Sequence, residues 1–173
     1  SNATVSAVLQ EGVPELPEIG DMRRRVSHAS NLLGFPYFAF SVAARVDDQI
    51  VAACIRNLPT GDVFTAILGD GSHYNGLPIQ TTKVTELNEA WVALIRPSKD
   101  EGLRRTRDIL FGAKRVRITG CSALDIALVG SGGLHALVNP NAHRPPKSGE
   151  KGGDYAAGWL SLRYAGGMIS DTG

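Results

Sequence analysis

A single aspartate, Asp154, stands between a glycine-rich loop and a run of small residues in the stretch SGEKGGDYAAG (148–158). A carboxylate at the start of a helix can cap it by accepting hydrogen bonds from unpaired backbone N–H groups, an effect of about 1 kcal/mol. The same carboxylate can instead be one ligand of a site for a hard cation, which prefers oxygen ligands. Both interpretations of Asp154 are open, and the second requires partners elsewhere in the chain.

Few other residues have the spacing of a chemical site. Glu18 and Asp21 form an acid-x-x-acid pair near the start of the sequence. His135 lies in a predicted strand and is expected to be a partly buried, hydrogen-bonded histidine rather than a ligand. His28 and His143 lie in irregular segments without a carboxylate or cysteine at metal spacing, so no role is assigned to them. The sequence contains no nucleophile elbow, phosphate-binding Gly-Lys-Ser loop or zinc pattern.

Composition indicates one globular domain in an ordinary intracellular protein. Residues 1–3 are interpreted as a tag-removal scar, which leaves residues 4–173 as a single domain able to bury its own core. The net charge of +1 predicts neither a nucleic-acid groove nor a membrane surface. Cys54 and Cys121 are interpreted as reduced, buried thiols, and no apolar run is long enough for a membrane span. A cytoplasmic location is therefore expected.

The first half of the chain predicts an antiparallel meander. Residues 4–31 are irregular, with three consecutive arginines at 23–25 that favour a solvated face, and they predict a loop leading into a short helix. Segments rich in β-formers follow, and Asn75-Gly76 provides the positive φ angles of a tight hairpin turn. The predicted strands of this half are 37–46, 50–56 and 62–68.

The second half alternates short apolar strands with helices. Strands are predicted at 91–95, 114–119, 134–138 and 167–171, and helices at 100–111, 122–132 and 154–166. Residues 141–154 have two prolines and no apolar periodicity, and such a loop is often near a site. A meander followed by alternating strands and helices predicts an α/β (α+β) layered sandwich.

Three segments of the sequence resemble signatures of the inositol monophosphatase family. The first is the Phe-Pro-aromatic strand at residue 35 and the meander that ends in a Gly-x-Gly-x-x-x-Asn-Gly hairpin. The second is RITGCSALDIALVGSGGLHALV (117–138), in which an arginine precedes a small-residue helix start. The third is GGDYAAGWLSLRYAGGMISDTG (152–173), with an Ala-Gly-Gly turn. Their order and spacing imply a layered sandwich of the sugar-phosphatase type.

The resemblance implies a metal-dependent phosphoric monoester hydrolase that acts with Mg²⁺ on a small phosphorylated polyol or sugar, such as an inositol phosphate. In such a site, cations held by carboxylates neutralise the phosphate and activate water. The metal ligand that matches the family's motif is Asp154; Asp21 and Glu18 join it if an insertion places their acid-x-x-acid pair at the site. The substrate-binding residues implied are Gly120, Cys121, Ser122 and Asn139, of which Ser122 is equally an N-cap and Asn139 equally a strand end. No catalytic residue is assigned.

The sequence departs from the family at its beginning. Residues 24–30 occupy the place of the Asp-x-x-Asp-Gly-Thr loop, and the arginines there would repel cations. The family's Glu-Glu segment is absent, so the N-terminal layer is expected to be truncated. A further interpretation is that the sequence is a fragment of a longer protein whose other segments supply the ligands. The alternative to an enzyme is a catalytically inactive binding or oligomerisation module of the same fold. A homodimer is expected in either case, because family members commonly dimerise.

Overall fold

The computed structural model describes residues 4–10, 37–47, 49–141 and 153–170. Six strands form the larger sheet in the order β1 to β6, and each strand pairs with its neighbour in sequence. Pairing is parallel between β1 and β2 and antiparallel elsewhere in this sheet, which confirms the predicted meander. The strands are β1 Thr4–Gln10, β2 Ala39–Val46, β3 Gln49–Asn57, β4 Val63–Ile67, β5 Gly71–Tyr74 and β6 Leu77–Pro78.

The turn between β5 and β6 forms as its sequence predicts. Asn75 and Gly76 have φ angles of 50° and 81°, so both central residues are in the left-handed region. This conformation costs little for glycine and asparagine, and its twist matches that of the two flanking strands.

Strand β1 is the main correction to the predicted fold. Residues 4–10 were predicted to be part of a loop, yet they pair in parallel with β2, from Thr4 opposite Ala39 to Gln10 opposite Arg45. Local sequence gave little indication of this strand because each of its residues pairs with one 35 positions further along the chain, and pairing at that distance is set by tertiary contacts. The remaining residues of the predicted loop and short helix, 11–31, lie outside the described residues.

Three short parallel strands form the smaller sheet, in the order β8-β7-β9. Helix α1 (Asp100–Gly112) connects β7 to β8, which lies on one side of β7. Helix α2 (Ser122–Gly130) then connects β8 to β9, which lies on the other side of β7. Because parallel crossovers are right-handed, these opposite movements place α1 and α2 on opposite faces of the sheet. The elements are β7 Trp91–Leu94, β8 Arg115–Arg117, β9 Ala136–Val138, α1 Asp100–Gly112, α2 Ser122–Gly130 and α3 Gly153–Tyr164, with a 3₁₀ turn at Leu87–Glu89.

Helix α2 lies in the core between the two sheets. Seven of its nine residues are buried, and the helix is apolar on nearly all sides, as expected for an internal helix. Its Ala123, Leu124 and Ala127 pack with α3 against the inner face of the larger sheet. Its Ile126 and Val129 belong to a second cluster with Ala93 of the smaller sheet. The layers therefore form the predicted α/β (α+β) sandwich.

The strand predicted at 167–171 is wrong for residues 167–170, which have no regular structure; residue 171 lies outside the described part of the chain. The N–H of Gly167 donates to the Leu162 carbonyl, which ends α3 at a glycine turn. Met168 then follows with 91% of its surface exposed, and no described strand pairs with it. No helix in the described ranges is both long enough and apolar enough to cross a membrane.

Candidate functional site

The candidate site is the edge of the smaller sheet where its parallel strands end. The turn Gly120-Cys121-Ser122 follows β8, and Asn139 follows β9 directly. Because the carboxyl ends of parallel strands meet at one edge, these two predicted substrate-binding segments lie on the same side of the molecule. Such an edge is where open α/β sheets bind ligands, since the loops there face a common crevice.

Helices α2 and α3 pack side by side in the same direction. A Cβ atom placed on Gly158 of α3 would lie 2.9 Å from Ile126 Cγ2 of α2, so the glycine permits this close approach. Four residues further along both helices, a Cβ atom on Gly130 would lie 3.8 Å from Leu162 Cα. The same register, taken one turn back, aligns Ser122 with Asp154. The first turns of both helices therefore lie at the same level.

Asn139 connects the end of β9 with the first turn of α3. Its Nδ2 donates to the Tyr155 hydroxyl at 3.0 Å, and its Oδ1 accepts from the N–H of Asn141 at 3.0 Å. The side-chain amide has two N–H groups and an oxygen with two lone pairs. Among the described residues, these bonds leave one hydrogen-bonding position on each end of the amide, next to the residue that follows Asp154.

A second asparagine ties the loop after β7 to the same edge. Asn141 Oδ1 accepts from both the N–H and the hydroxyl of Ser98, each at 2.7 Å, and Asn141 Nδ2 donates to the Arg96 carbonyl at 2.9 Å. These bonds hold the segments that follow β7 and β9 together, and they give the edge a defined shape.

The turn before α2 has the geometry of an accessible backbone segment. Gly120 has a φ of 82°, which favours glycine, and it is exposed, whereas Cys121 is fully buried. Ser122 is the first helical residue and Cys121 is the N-cap residue, without a side-chain cap, so the interpretation of Ser122 as the N-cap is wrong. Within the described part of the chain, no side chain caps the start of α2, where the helix dipole places a partial positive charge.

A buried hydrogen-bond network behind this turn was missed by sequence reasoning. Asp125 is 2% exposed; its Oδ1 accepts from the Tyr37 hydroxyl at 3.1 Å and its Oδ2 from the Thr119 hydroxyl at 2.6 Å. The Thr119 oxygen in turn accepts from the N–H of Cys121 at 3.3 Å. An acid inside the apolar run ALDIAL was the only signal of this network in the sequence.

Burial dominates the electrostatics of this network. Burial raises the pKa of Asp125 above its usual range, and the hydrogen bonds from Thr119 and Tyr37 oppose that change by stabilising the carboxylate. Burial also raises the pKa of the Tyr37 phenol, as does the neighbouring Asp125 charge, so Tyr37 remains a hydroxyl donor. The carboxylate of Asp125 is thus enclosed by the protein and is not available to a ligand at the edge.

The three predicted metal ligands are not tested by the structure. Asp154 is the second residue of α3, and its side chain lies outside the described part of the chain. Glu18 and Asp21 lie outside it entirely. Within the described ranges, no three His, Cys, Asp or Glu side chains come close enough together to hold a metal ion. The described residues therefore do not by themselves fit a magnesium site, and Asp154 as cap or ligand stays open.

His135 has the structural role expected for it. Its side-chain Nδ1 accepts from the backbone N–H of Trp91 at 2.7 Å, and its backbone N–H donates to the Trp91 carbonyl at 2.9 Å. The imidazole therefore secures the junction between β7 and the segment leading into β9. His28 and His143 lie outside the described residues.

Comparison with known proteins assigns the chain to a family. Residues 31–173 match the sequence profile of the inositol monophosphatase family, so the chain belongs to that family. The family is generally magnesium-dependent.

The similar proteins include one named as an inositol monophosphatase and others named as a Nus factor. The chain is 30% identical over 145 residues to the inositol-1-monophosphatase of Mesorhizobium japonicum, covering 81% of this chain and 52% of the relative. It is 29% identical over 141 residues to the Nus factor SuhB of Escherichia coli strain K12, covering 79% of this chain and 50% of the relative. The chain thus spans about half the length of these curated relatives.

A solved structure confirms the fold. The extragenic suppressor protein suhB of Bartonella henselae superposes with a TM-score of 0.73 at 25% sequence identity, over 95% of this chain and 65% of that protein. The layered sandwich seen here is therefore the fold of this family.

Proposed function

We propose that this chain is part of a phosphomonoesterase that acts on a small phosphorylated polyol or sugar, such as an inositol phosphate, and that it provides the edge where the substrate binds. The observation that carries the proposal is the level alignment of Ser122 and Asp154 at the starts of two parallel helices, with Asn139 bonded to the residue after Asp154. Membership of the inositol monophosphatase family and the inositol-1-monophosphatase relative support the same reaction.

Each predicted residue has a distinct part in this proposal. Gly120 and Ser122 offer accessible backbone at the start of α2, where the helix dipole favours an anion such as a phosphate group. Asn139 keeps amide positions for the hydroxyls of the polyol. Cys121 is fully buried, so its contribution is the position of its backbone rather than contact through its thiol.

Magnesium enters the proposal through the family and not through the described residues. Its proposed ligands remain Asp154, Asp21 and Glu18, as the sequence predicts. When bound, Mg²⁺ in this class of enzyme neutralises phosphate charge. The described residues orient and hold the substrate at the edge, and no step of the reaction is assigned to them through the metal.

The experiment is to measure phosphate release from a panel of inositol and sugar phosphates with and without Mg²⁺, together with the thermal unfolding midpoint in the same conditions. We expect magnesium-dependent release from at least one polyol phosphate, and a magnesium-dependent rise of the midpoint. If the protein releases no phosphate and its midpoint does not respond to Mg²⁺, the catalytic proposal is contradicted.

The second candidate is a catalytically inactive binding or oligomerisation module of the same fold. One comparison favours it, because several relatives are named Nus factor SuhB rather than phosphatase. Apolar side chains at the margin of the larger sheet, Val46, Ile67 and Leu68, are 40%, 49% and 41% exposed, which suits a surface that a partner or a second copy covers. Sedimentation of the protein as a dimer without phosphatase activity would favour this candidate, and a clean monomer would count against it.

We also propose a cytoplasmic location and a homodimer, as the sequence predicts. The buried state of Cys121 is consistent with the expected reducing compartment. Sedimentation of the purified protein tests the dimer directly, and fractionation of cells tests the location.

A further inference from the structure

We propose that Asp125 is a positioning residue that holds the turn Thr119–Ser122 in place by fixing the direction of the Thr119 hydroxyl. This inference deepens the proposed function and rests on it for its functional meaning, because the turn is the part of the substrate edge that precedes α2. The residue touches no substrate and acts through Thr119 alone.

The argument begins with the number of protons available. The Thr119 hydroxyl has one proton, which it donates to Asp125 Oδ2 at 2.6 Å. An ionised carboxylate only accepts hydrogen bonds, so the proton of Thr119 must point towards Asp125. The lone pairs of the Thr119 oxygen are then available to the N–H of Cys121, which lies 3.3 Å away. The charge of Asp125 therefore determines that the hydroxyl accepts from the turn instead of donating elsewhere.

The second carboxylate oxygen anchors this arrangement to the larger sheet. Asp125 Oδ1 accepts from the hydroxyl of Tyr37, which precedes β2 and lies 88 residues earlier in the chain. Cys121 and Leu124, on either side of the network, pack in the main core against the same sheet. Asp125 thus connects three parts of the chain, namely the approach to β2, the turn after β8 and helix α2.

A neutral side chain of the same shape cannot maintain this pattern. Asparagine at position 125 would present one oxygen and one NH₂ group, so one of the two hydroxyls would face a donor instead of an acceptor. Where the NH₂ group faces Thr119, the hydroxyl accepts from it through one lone pair, and no carboxylate fixes the direction of its own proton. The second lone pair is then no longer held towards the Cys121 N–H, so this hydrogen bond weakens while the volume of the core stays the same.

The test is NMR-detected hydrogen exchange of the Cys121 amide in four variants of the full chain. Asp125→Asn and Thr119→Val are expected to exchange about five- to tenfold faster than wild type relative to the other α2 amides, as expected for one lost hydrogen bond. Thr119→Ser retains the hydroxyl and is expected to keep the wild-type rate. Tyr37→Phe removes the bond to the other oxygen and is expected to change the Cys121 rate less than twofold.

The double variant and a binding measurement complete the experiment. Asp125→Asn combined with Thr119→Val is expected to exchange no faster than either single variant, because both act through one hydroxyl. Titration with inorganic phosphate is expected to show at least about fivefold weaker binding for Asp125→Asn and unchanged binding for Thr119→Ser.

The outcomes separate this inference from the proposed function. Unchanged relative exchange at Cys121 in Asp125→Asn and Thr119→Val, or an equal increase in Tyr37→Phe, would overturn the positioning role. If wild type does not bind phosphate while the exchange pattern is as expected, the positioning role stands and the proposed function is contradicted. Should Asp125→Asn fail to fold, the comparison of Thr119→Val with Thr119→Ser decides the question.

Discussion

Replacing Gly158 with alanine tests the helix contact that aligns the two halves of the site. A Cβ atom at this position would lie 2.9, 3.0 and 3.1 Å from Cγ2, Cβ and Cδ1 of Ile126, all closer than ordinary packing allows. Overpacking of this kind costs about 1–3 kcal/mol, and alanine regains about 1 kcal/mol of helix propensity over glycine. We expect a net loss of up to about 2 kcal/mol in the free energy of unfolding, or up to roughly 8 °C in the midpoint, and a stability about 1–3 kcal/mol below that of a glycine-to-alanine change without the clash.

The matched control is glycine to alanine at position 130 in the same interface. The nearest atom to a Cβ there is 3.7 Å away, so Gly130→Ala is expected to leave stability unchanged or slightly raised. Urea unfolding followed by circular dichroism measures both variants. Combining Gly158→Ala with Ile126→Ala, which removes Cγ2 and Cδ1, is expected to be less harmful than the sum of the single changes by about 1 kcal/mol. Equal stabilities of the two alanine variants, or additive costs in the double variant, would refute the close helix contact.

Further predictions concern pH and the hydrogen bond between His135 and Trp91. Burial raises the pKa of Asp125, so the folded state binds this proton more tightly than the unfolded chain does. The contribution of Asp125 to the free energy of unfolding therefore falls as the pH rises from about 4. In urea titrations at several pH values, Asp125→Asn should lack that fall. Hydrogen bonds, first of all from Thr60, hold the pKa of Asp62 below its usual range. Its stabilising contribution should therefore be present above about pH 4 and be lost as the pH falls through the lower folded-state value, and Asp62→Asn should abolish this acid dependence. Replacing His135 with alanine removes the acceptor of the Trp91 N–H, and calorimetry should show a loss of about 0.5–1 kcal/mol; an unchanged unfolding temperature would contradict that role.

Elements with strong local signals could be predicted from the sequence. Asn75 and Gly76 adopt the positive φ angles that their types favour, and the strands on either side follow from alternating β-formers. The alternation of strands and helices in the second half is likewise local, because each segment has its own apolar periodicity. These signals were sufficient for the layered sandwich.

Features that depend on distant contacts could not be predicted in the same way. Strand β1 exists through its pairing with β2, and the predicted strand after Gly167 has no described partner, so in both cases the neighbour decides the structure. The hydrogen-bond partners of Asp125 are the hydroxyls of Tyr37, 88 residues earlier, and of Thr119, which precedes the start of α2. From the sequence alone, Asp125 is visible only as an acid among apolar residues, and its partners are not.

For the candidate site, sequence gives the residues through the family resemblance, but contacts between elements decide how they are arranged. Family resemblance pointed to Gly120, Cys121, Ser122 and Asn139, and the structure places these segments on one edge of the smaller sheet. The close register of α2 and α3 depends on Gly158 meeting Ile126, which no spacing within one helix reveals. The ligand set of Asp154, Asp21 and Glu18 stays a prediction.

The most direct test of the proposed phosphomonoesterase compares two conservative replacements of aspartates near helix starts. Asp154→Asn changes the residue of α3 that the helix register aligns with Ser122, whereas Asp100→Asn changes the exposed first residue of α1. Initial rates of magnesium-dependent phosphate release from inositol phosphate give kcat/KM for each variant. We predict a loss of at least about 100-fold for Asp154→Asn, since even indirect partners of a metal site cost 10- to 100-fold, and little change for Asp100→Asn. Equal rates for wild type and both variants, or no phosphate release by wild type, would contradict the proposal.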